Sequence, residues 1–198
     1  MIDVQGSGLG GRRLAGTLMR MTREYLASGL APTTAVLASH QFLLASRQGK
    51  VGASIHVCIV DAIAGHVRIA GLGPLGIATS TEKGWHVDSF PESGAGFDRE
   101  VNVESRTFPL ASGQRLVLAN DGITNRGEDL TALLGILDTD NTSFGSALQI
   151  LDCAINRDAG RPRSDMAVAL IEYQHAVPVG RILHAHISIP VRPARSDS

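Results

Sequence analysis

The sequence predicts an α+β fold in which helices pack outside paired antiparallel sheets. Two helical patterns come first, a series of period-two strand patterns follows, and two further helical patterns precede a last apolar strand. Strands that are grouped together, rather than alternating singly with helices, favour α+β layers over a parallel sheet built from βαβ units.

The composition is that of an ordinary globular protein with one domain. The chain has 198 residues, of which 43% are hydrophobic and 19% charged, enough for a substantial core. Its net charge of −1 gives no general attraction to nucleic acid or to an anionic membrane. Cys58 and Cys153 stand far apart, and the chain has neither a signal-peptide pattern nor an apolar run of about 20 residues. We therefore expect a cytoplasmic protein without nucleic-acid or membrane partners.

The first thirteen residues contain a glycine-rich turn. Gly6, Gly8 and Gly11 formally satisfy G-x-G-x-x-G, but the dinucleotide fingerprint requires a full strand before it and a βαβ unit around it. Only five residues precede Gly6. We therefore interpret the glycines as a turn that leads from Asp3 into a helix.

Two helices follow this turn. Apolar residues at helical spacing predict the first over residues 12–28, with Gly29 as its stop. Pro32 suits the first turn of the second, which ends near Gly49. His40 lies on the apolar face of that helix, and we interpret it as a core histidine because it has no further ligand at metal-binding spacing.

From Val51 the apolar period changes to two, as in half-buried strands. His56 and Cys58 share one strand face, but two residues do not make a zinc site. The predicted strands cover residues 51–60, 66–73, 75–79, 85–90 and 101–108.

The strand that follows is the most informative. Four apolar residues, Leu116 to Ala119, predict a strand buried on both faces, and it ends at Asn120-Asp121-Gly122. A carboxylate at the end of a buried strand can hold a hard metal ion or act as a general base on a rigid support. The other interpretation is that Asp121 only makes an Asx turn, and the peptide alone leaves both open.

The remaining chain predicts two helices, over residues 128–137 and 144–157, and a strand over 166–173. Between them lies a basic loop with Arg157, Arg161 and Arg163. These arginines could hold a phosphate group or could simply be solvated. Alternation over residues 182–189 predicts one more strand, which we expect to complete a sheet edge.

Three acidic turns at strand ends carry a family resemblance. They lie at residues 3–6, 120–122 and 164–168. This ordered set resembles the PPM-type metal-dependent protein phosphatases, within them the SpoIIE-like bacterial branch and its RsbX-like members. That family has an Asp-x-x-Gly-x-Gly turn into a helix, an apolar strand ending in Asp-Gly, and an Arg-rich loop before an acidic pair and a strand. The resemblance implies a layered α-β-β-α sandwich over residues 1–175 and a C-terminal extension over 176–198.

The resemblance also implies a metal centre with two Mn²⁺ or Mg²⁺ ions. Carried over, Asp3 bridges the metals and the Val4 carbonyl joins one of them. Asp121 binds the other ion, so that Asp3 and Asp121 are the implied catalytic residues. In the direct register Ser164 stands where the family has its last metal-binding carboxylate, and Asp165 follows it. We therefore expect Asp165 to be the remaining ligand of a weak second site.

The activity implied by this resemblance is hydrolysis of phosphoserine or phosphothreonine by metal-activated water. The implied substrate is a phosphorylated bacterial stress or sigma-factor signalling protein of the STAS type. The alternative is a catalytically reduced phosphatase-like domain that acts as a protein-binding regulatory module.

Overall fold

A computed structural model describes residues 1–6, 8–124, 130–135, 143–160 and 164–174. Within these ranges the chain forms eight strands and five helices. The strands are β1 (Ile2–Val4), β2 (Ala53–Asp61), β3 (His66–Leu72), β4 (Leu75–Thr81), β5 (Gly84–Phe90), β6 (Glu104–Pro109), β7 (Arg115–Ala119) and β8 (Val168–Glu172). The helices are α1 (Leu9–Ala27), α2 (Pro32–Arg47), α3 (Asp121–Thr124), α4 (Leu130–Leu134) and α5 (Ser143–Arg157).

The strands form two four-stranded sheets. The first has the order β1-β2-β3-β6 and the second the order β5-β4-β7-β8. Every pairing within them is antiparallel, which excludes the dinucleotide-binding interpretation of the glycine-rich turn. The central position of β7, between β4 and β8, explains why its sequence is apolar on both faces.

The core has three parts, which correspond to a layered α-β-β-α sandwich. Leu18 of α1 and Leu43 of α2 pack on Ile55 of the first sheet. Ile69 of the first sheet packs against Leu116 of the second. On the outer side of the second sheet, α4 and α5 cover Val117 and its neighbours. The predicted fold class is therefore confirmed.

Most predicted elements are present, with shifted ends. The first helix begins at Leu9 rather than at residue 12, because Gly10 and Gly11 already belong to the helix and only Gly6 and Gly8 precede it. The strand predicted over 101–108 begins only at Glu104. The described part of the 128–137 helix is α4, and its predicted flanks lie outside the described residues.

The C-terminal predictions lie outside the described residues, which end at Gln174. These are the strand over 182–189 and the extension over 176–198. β1 is the edge strand of the first sheet and pairs through Asp3 opposite Ser54 of β2. Of the helices described here, none is long and apolar enough to cross a membrane.

Candidate metal centre

Asp3 is carried to the site by β1 and by the glycine turn that follows it. Asp3 is half-buried on the edge strand, and the chain then turns sharply into α1. A side chain at Gly11 would place its Cβ 2.7 Å from the Gly6 carbonyl oxygen, and Gly6 and Gly8 have positive φ angles of 125° and 92°. Both features require glycine. The turn therefore fixes where β1 stops and where the cleft beside Asp3 begins.

Asp121 reaches the same place from the second sheet. It is the first residue of α3, the single helical turn that follows β7. Gly122 lies so close to the backbone oxygen of Asp165 that any Cβ there would collide with it. The Asp-Gly sequence therefore lets the last motif of the chain approach Asp121 directly.

Asp3 and Asp121 line one cleft, although 117 other residues separate them in the sequence. The pKa of Asp3 is raised to about 6, first by burial and then by the negative charge of Asp121. A hydrogen bond from Asn120 acts in the opposite direction, and the charge of Asp165 adds a smaller effect that raises the pKa of Asp3. A divalent cation would stabilise a site in which one carboxylate lies beside the negative charge of another.

Val4, Ser164 and Asp165 line the cleft as well. The Ser164 Oγ lies 2.8 Å from the position that a Cβ on Gly122 would take, so this hydroxyl faces the Asp121 turn. Asp165 is exposed. Across the described part of the chain, no three His, Cys, Asp or Glu side chains converge at metal-binding spacing. The structure thus brings together the carboxylates of Asp3 and Asp121 in one cleft. The ligand roles of Asp3, Val4, Asp121 and Asp165 remain predictions.

The donor atoms of the cleft suit a hard cation. Its volume is about 820 Å³, and among its described lining residues there is neither histidine nor cysteine. Carboxylate and carbonyl oxygens are the ligands that Mg²⁺ and Mn²⁺ prefer. His40 and His56 are buried elsewhere: His40 Nδ1 accepts a hydrogen bond from the Gly96 amide, and His56 Nε2 lies 3.0 Å from the Gly73 carbonyl oxygen. The expectation that His40 is a core histidine is confirmed.

One cationic side chain lines the cleft, and it is not one of the three arginines that the sequence suggested for phosphate binding. Arg12, in the first turns of α1, is the only Lys or Arg among the described lining residues. Arg157 instead donates hydrogen bonds to the carbonyl oxygens of Ile123 (2.7 Å) and Gly122 (3.2 Å). Arg157 therefore stabilises the turn that carries Asp121. Neither of the two roles considered for it from the sequence, phosphate binding or exposure in a solvated loop, fits these contacts. Arg161 and Arg163 lie outside the described residues.

Asn120 is the site residue that sequence reasoning missed. It is 3% exposed and donates a hydrogen bond to Asp3. The alternation of side chains along β7 indicates that Asn120 points inward. Leu116 and Leu118 face the space between the sheets, and Asn120 is the next residue on that face. A polar residue in that register requires hydrogen-bonding partners in the interior.

The raised pKa of Asp3 predicts how metal binding should depend on pH. A cation requires the ionised carboxylate, so protons compete with it below about pH 6. The affinity for Mn²⁺ should be constant above this pH and fall by up to about tenfold per pH unit below it. The stability of the metal-free protein should change in the opposite direction. Between about pH 6 and 3.8 the folded protein keeps a proton on Asp3 that the unfolded chain releases, so the free energy of unfolding increases as the pH falls through this range. Calorimetric Mn²⁺ titrations between about pH 5 and 8 measure the first effect, and an affinity unchanged across this range would contradict it.

Comparison with known proteins places the fold among phosphatases. The sequence profile of the stage II sporulation protein E (SpoIIE) family matches residues 1–174. The PP2C phosphatase domain of SpoIIE from Bacillus subtilis is 16% identical, with a TM-score of 0.68 over 84% of this chain and 51% of that chain. No curated protein sequence matches the chain as a relative.

Two further solved structures share the fold. A serine/threonine phosphatase from S. agalactiae is 16% identical, with a TM-score of 0.67 over 87% of this chain and 86% of that chain. The catalytic domain of the serine/threonine phosphatase PstP, solved with two manganese ions, is 13% identical, with a TM-score of 0.65 over 85% and 84%.

Proposed function

The chain belongs to the SpoIIE family of PPM-type serine/threonine protein phosphatases, and we propose that it dephosphorylates a bacterial stress or sigma-factor signalling protein. The meeting of Asp3 and Asp121 in one cleft carries this proposal. The family uses divalent metals such as Mn²⁺, and the oxygen donors of this cleft fit such ions. A phosphorylated STAS-type protein is the substrate class that we propose.

The residues of the cleft would have different roles in metal binding. Asp3, Asp121 and the Val4 carbonyl would hold the metal, with Asp165 as a weaker additional ligand. When bound, such ions activate a water molecule and neutralise the phosphoryl group. Burial of Asp3 keeps its carboxylate poorly solvated until a cation is present, which favours binding. The hydrogen bonds from Arg157 hold the backbone of the turn that carries Asp121 in place.

Arg12 is suited to the substrate side of the reaction. Among the described residues it makes no ion pair, and it lines a cleft whose other charged side chains are acidic. A guanidinium in that position can bind phosphate oxygens in a bidentate manner. It would also offset the repulsion between the acidic cleft and an incoming phosphate dianion.

A second candidate function is a protein-binding module with reduced catalysis. One observation favours it, namely that no third metal-binding side chain joins Asp3 and Asp121 among the described residues. A centre with one carboxylate fewer binds its second ion weakly. Such a domain could still recognise its phosphorylated partner through the same cleft.

Metal-dependent hydrolysis separates the two candidates. A phosphatase should hydrolyse p-nitrophenyl phosphate and a phosphoserine peptide with Mn²⁺, and chelation should remove the activity reversibly. Readdition of Mn²⁺ should restore it, which excludes unfolding as the cause of the loss. A chain that binds the phosphopeptide equally well with and without metal, and hydrolyses neither substrate, would be a binding module.

A further inference from the structure

The polar contacts of Asn120 connect the two sheets at the candidate metal centre. Its Nδ2 donates to Oδ2 of Asp3 at 3.1 Å and to the backbone oxygen of Asp165 at 2.7 Å. Its Oδ1 accepts a hydrogen bond from the backbone amide of Ala167 at 2.9 Å. One buried side chain thus contacts β1 in the first sheet and the segment that leads into β8 in the second.

The orientation of this amide is determined by its partners. Two of them, the Asp3 carboxylate and the Asp165 carbonyl, have oxygen atoms, and the third, Ala167, presents an N–H group. A flipped amide would direct its oxygen at two acceptors and its NH₂ group at a donor. Both amide hydrogens and the oxygen are therefore used, and the Asn120 backbone amide donates to the Ala167 oxygen at 3.1 Å as well. A buried polar group satisfied in this way is rigid.

The rigidity of Asn120 matters because two carboxylates lie beside it. Asp3 and Asp121 line one cleft, where two carboxylates repel each other, and β1 is a three-residue strand at a sheet edge. A short edge strand resists displacement poorly. The hydrogen bond from Asn120 restrains one oxygen of the Asp3 carboxylate. The same side chain holds the backbone of residues 165–167 against the end of β7.

We propose that Asn120 is a positioning residue, which holds the Asp3 carboxylate and the Asp165–Ala167 segment in the arrangement that binds a divalent cation. This inference rests on the proposed function only in taking Asp3 as a metal ligand. Hydrogen bonds of this kind around metal ligands change affinity by about 10–100-fold when they are removed.

The test is Mn²⁺ affinity, measured by calorimetry, in Asn120→Ala and Asn120→Ser. Ser39→Ala is the matched control, because it removes a buried hydrogen bond between α1 and α2 (Thr22 Oγ1 to Ser39 Oγ, 2.7 Å) without touching the cleft. We expect the Asn120 variants to bind Mn²⁺ at least about tenfold more weakly, and their hydrolysis to recover partly at high Mn²⁺. Ser39→Ala should lose stability but keep its affinity for Mn²⁺.

The outcomes distinguish this inference from the proposed function. If the wild type binds Mn²⁺ and is active, and folded Asn120 variants bind it equally well, the positioning role is wrong and the proposed function stands. If the wild type binds Mn²⁺ without hydrolysing phosphoesters, the proposed function fails, and the affinities still decide the role of Asn120. A wild type that binds no Mn²⁺ overturns both. Should Asn120→Ala not fold, Asn120→Ser carries the comparison, because it keeps a small polar group at this position.

Discussion

Asp121→Asn should reduce Mn²⁺-dependent phosphatase activity by about 100-fold or more. Asparagine keeps the shape of the side chain at the start of α3 but removes the negative charge that a cation requires. Several kcal/mol of transition-state stabilisation depend on such an ion, and each 1.36 kcal/mol corresponds to about a tenfold change in rate. Turnover of p-nitrophenyl phosphate at a fixed Mn²⁺ concentration measures the effect.

The stability of this variant makes the result specific. In the metal-free protein, Asp121 raises the pKa of Asp3 by repulsion, so its replacement should leave the free energy of unfolding unchanged or increase it at neutral pH. Asp152→Asn, on the exposed side of α5, is the matched control and should keep full activity. If Asp121→Asn retains activity, Asp121 is not part of the catalytic centre. If the variant is both inactive and unfolded, structural damage explains the loss of activity.

Ser164→Asp should raise turnover at limiting Mn²⁺ by about tenfold. Ser164 faces the Asp121 turn from the segment before β8, and in the direct register of the SpoIIE-like pattern it would take the position of a metal-binding carboxylate. A third carboxylate would tighten a second metal site, since affinity for hard cations increases with the number of charged ligands. The same change should destabilise the metal-free protein, because it adds a negative charge beside Asp3 and Asp121. Turnover across a Mn²⁺ series, together with thermal unfolding with and without metal, tests both parts.

A control is needed for the general effect of added charge. Ser93 also lines the cleft and is exposed, so Ser93→Asp adds the same charge at a different place. We expect it to leave the Mn²⁺ dependence unchanged. If the wild type is fully active at micromolar Mn²⁺ and Ser164→Asp brings no improvement, Asp165 already completes the site and the direct register is wrong.

Local patterns were sufficient to predict the main elements of the fold. The four apolar residues before Asn120 predicted a strand buried on both faces, and β7 occupies a central position in its sheet. Helical spacing of apolar residues predicted α1 and α5, which are amphipathic, and Pro32 with the apolar residues after it predicted α2. The ends of elements were less certain, as at Leu9, where the helix begins before Gly10 and Gly11, which resemble turn residues in the sequence.

The site was only partly predictable, because its geometry depends on contacts distant in sequence. The motifs of Asp3 and Asp121 predicted that these residues lie together, and both line one cleft. The roles of Asn120 and Arg157 required knowing that β1 lies beside the end of β7 and that α5 ends beside α3. Arg12 stands at the start of the predicted first helix, where the sequence does not show what it faces, and only the fold places it on the cleft. The register of Ser164 and Asp165 depends on the path of a short segment, which sequence spacing does not determine.

The central claim is that Asp3 and Asp121 together hold a divalent cation, and calorimetric titration of the purified chain with Mn²⁺ tests it most directly. We predict one tight site and a second, weaker one in the wild type, and loss of the tight site in Asp121→Asn. Absence of Mn²⁺ binding in the wild type, or equally tight binding in Asp121→Asn, would contradict the claim.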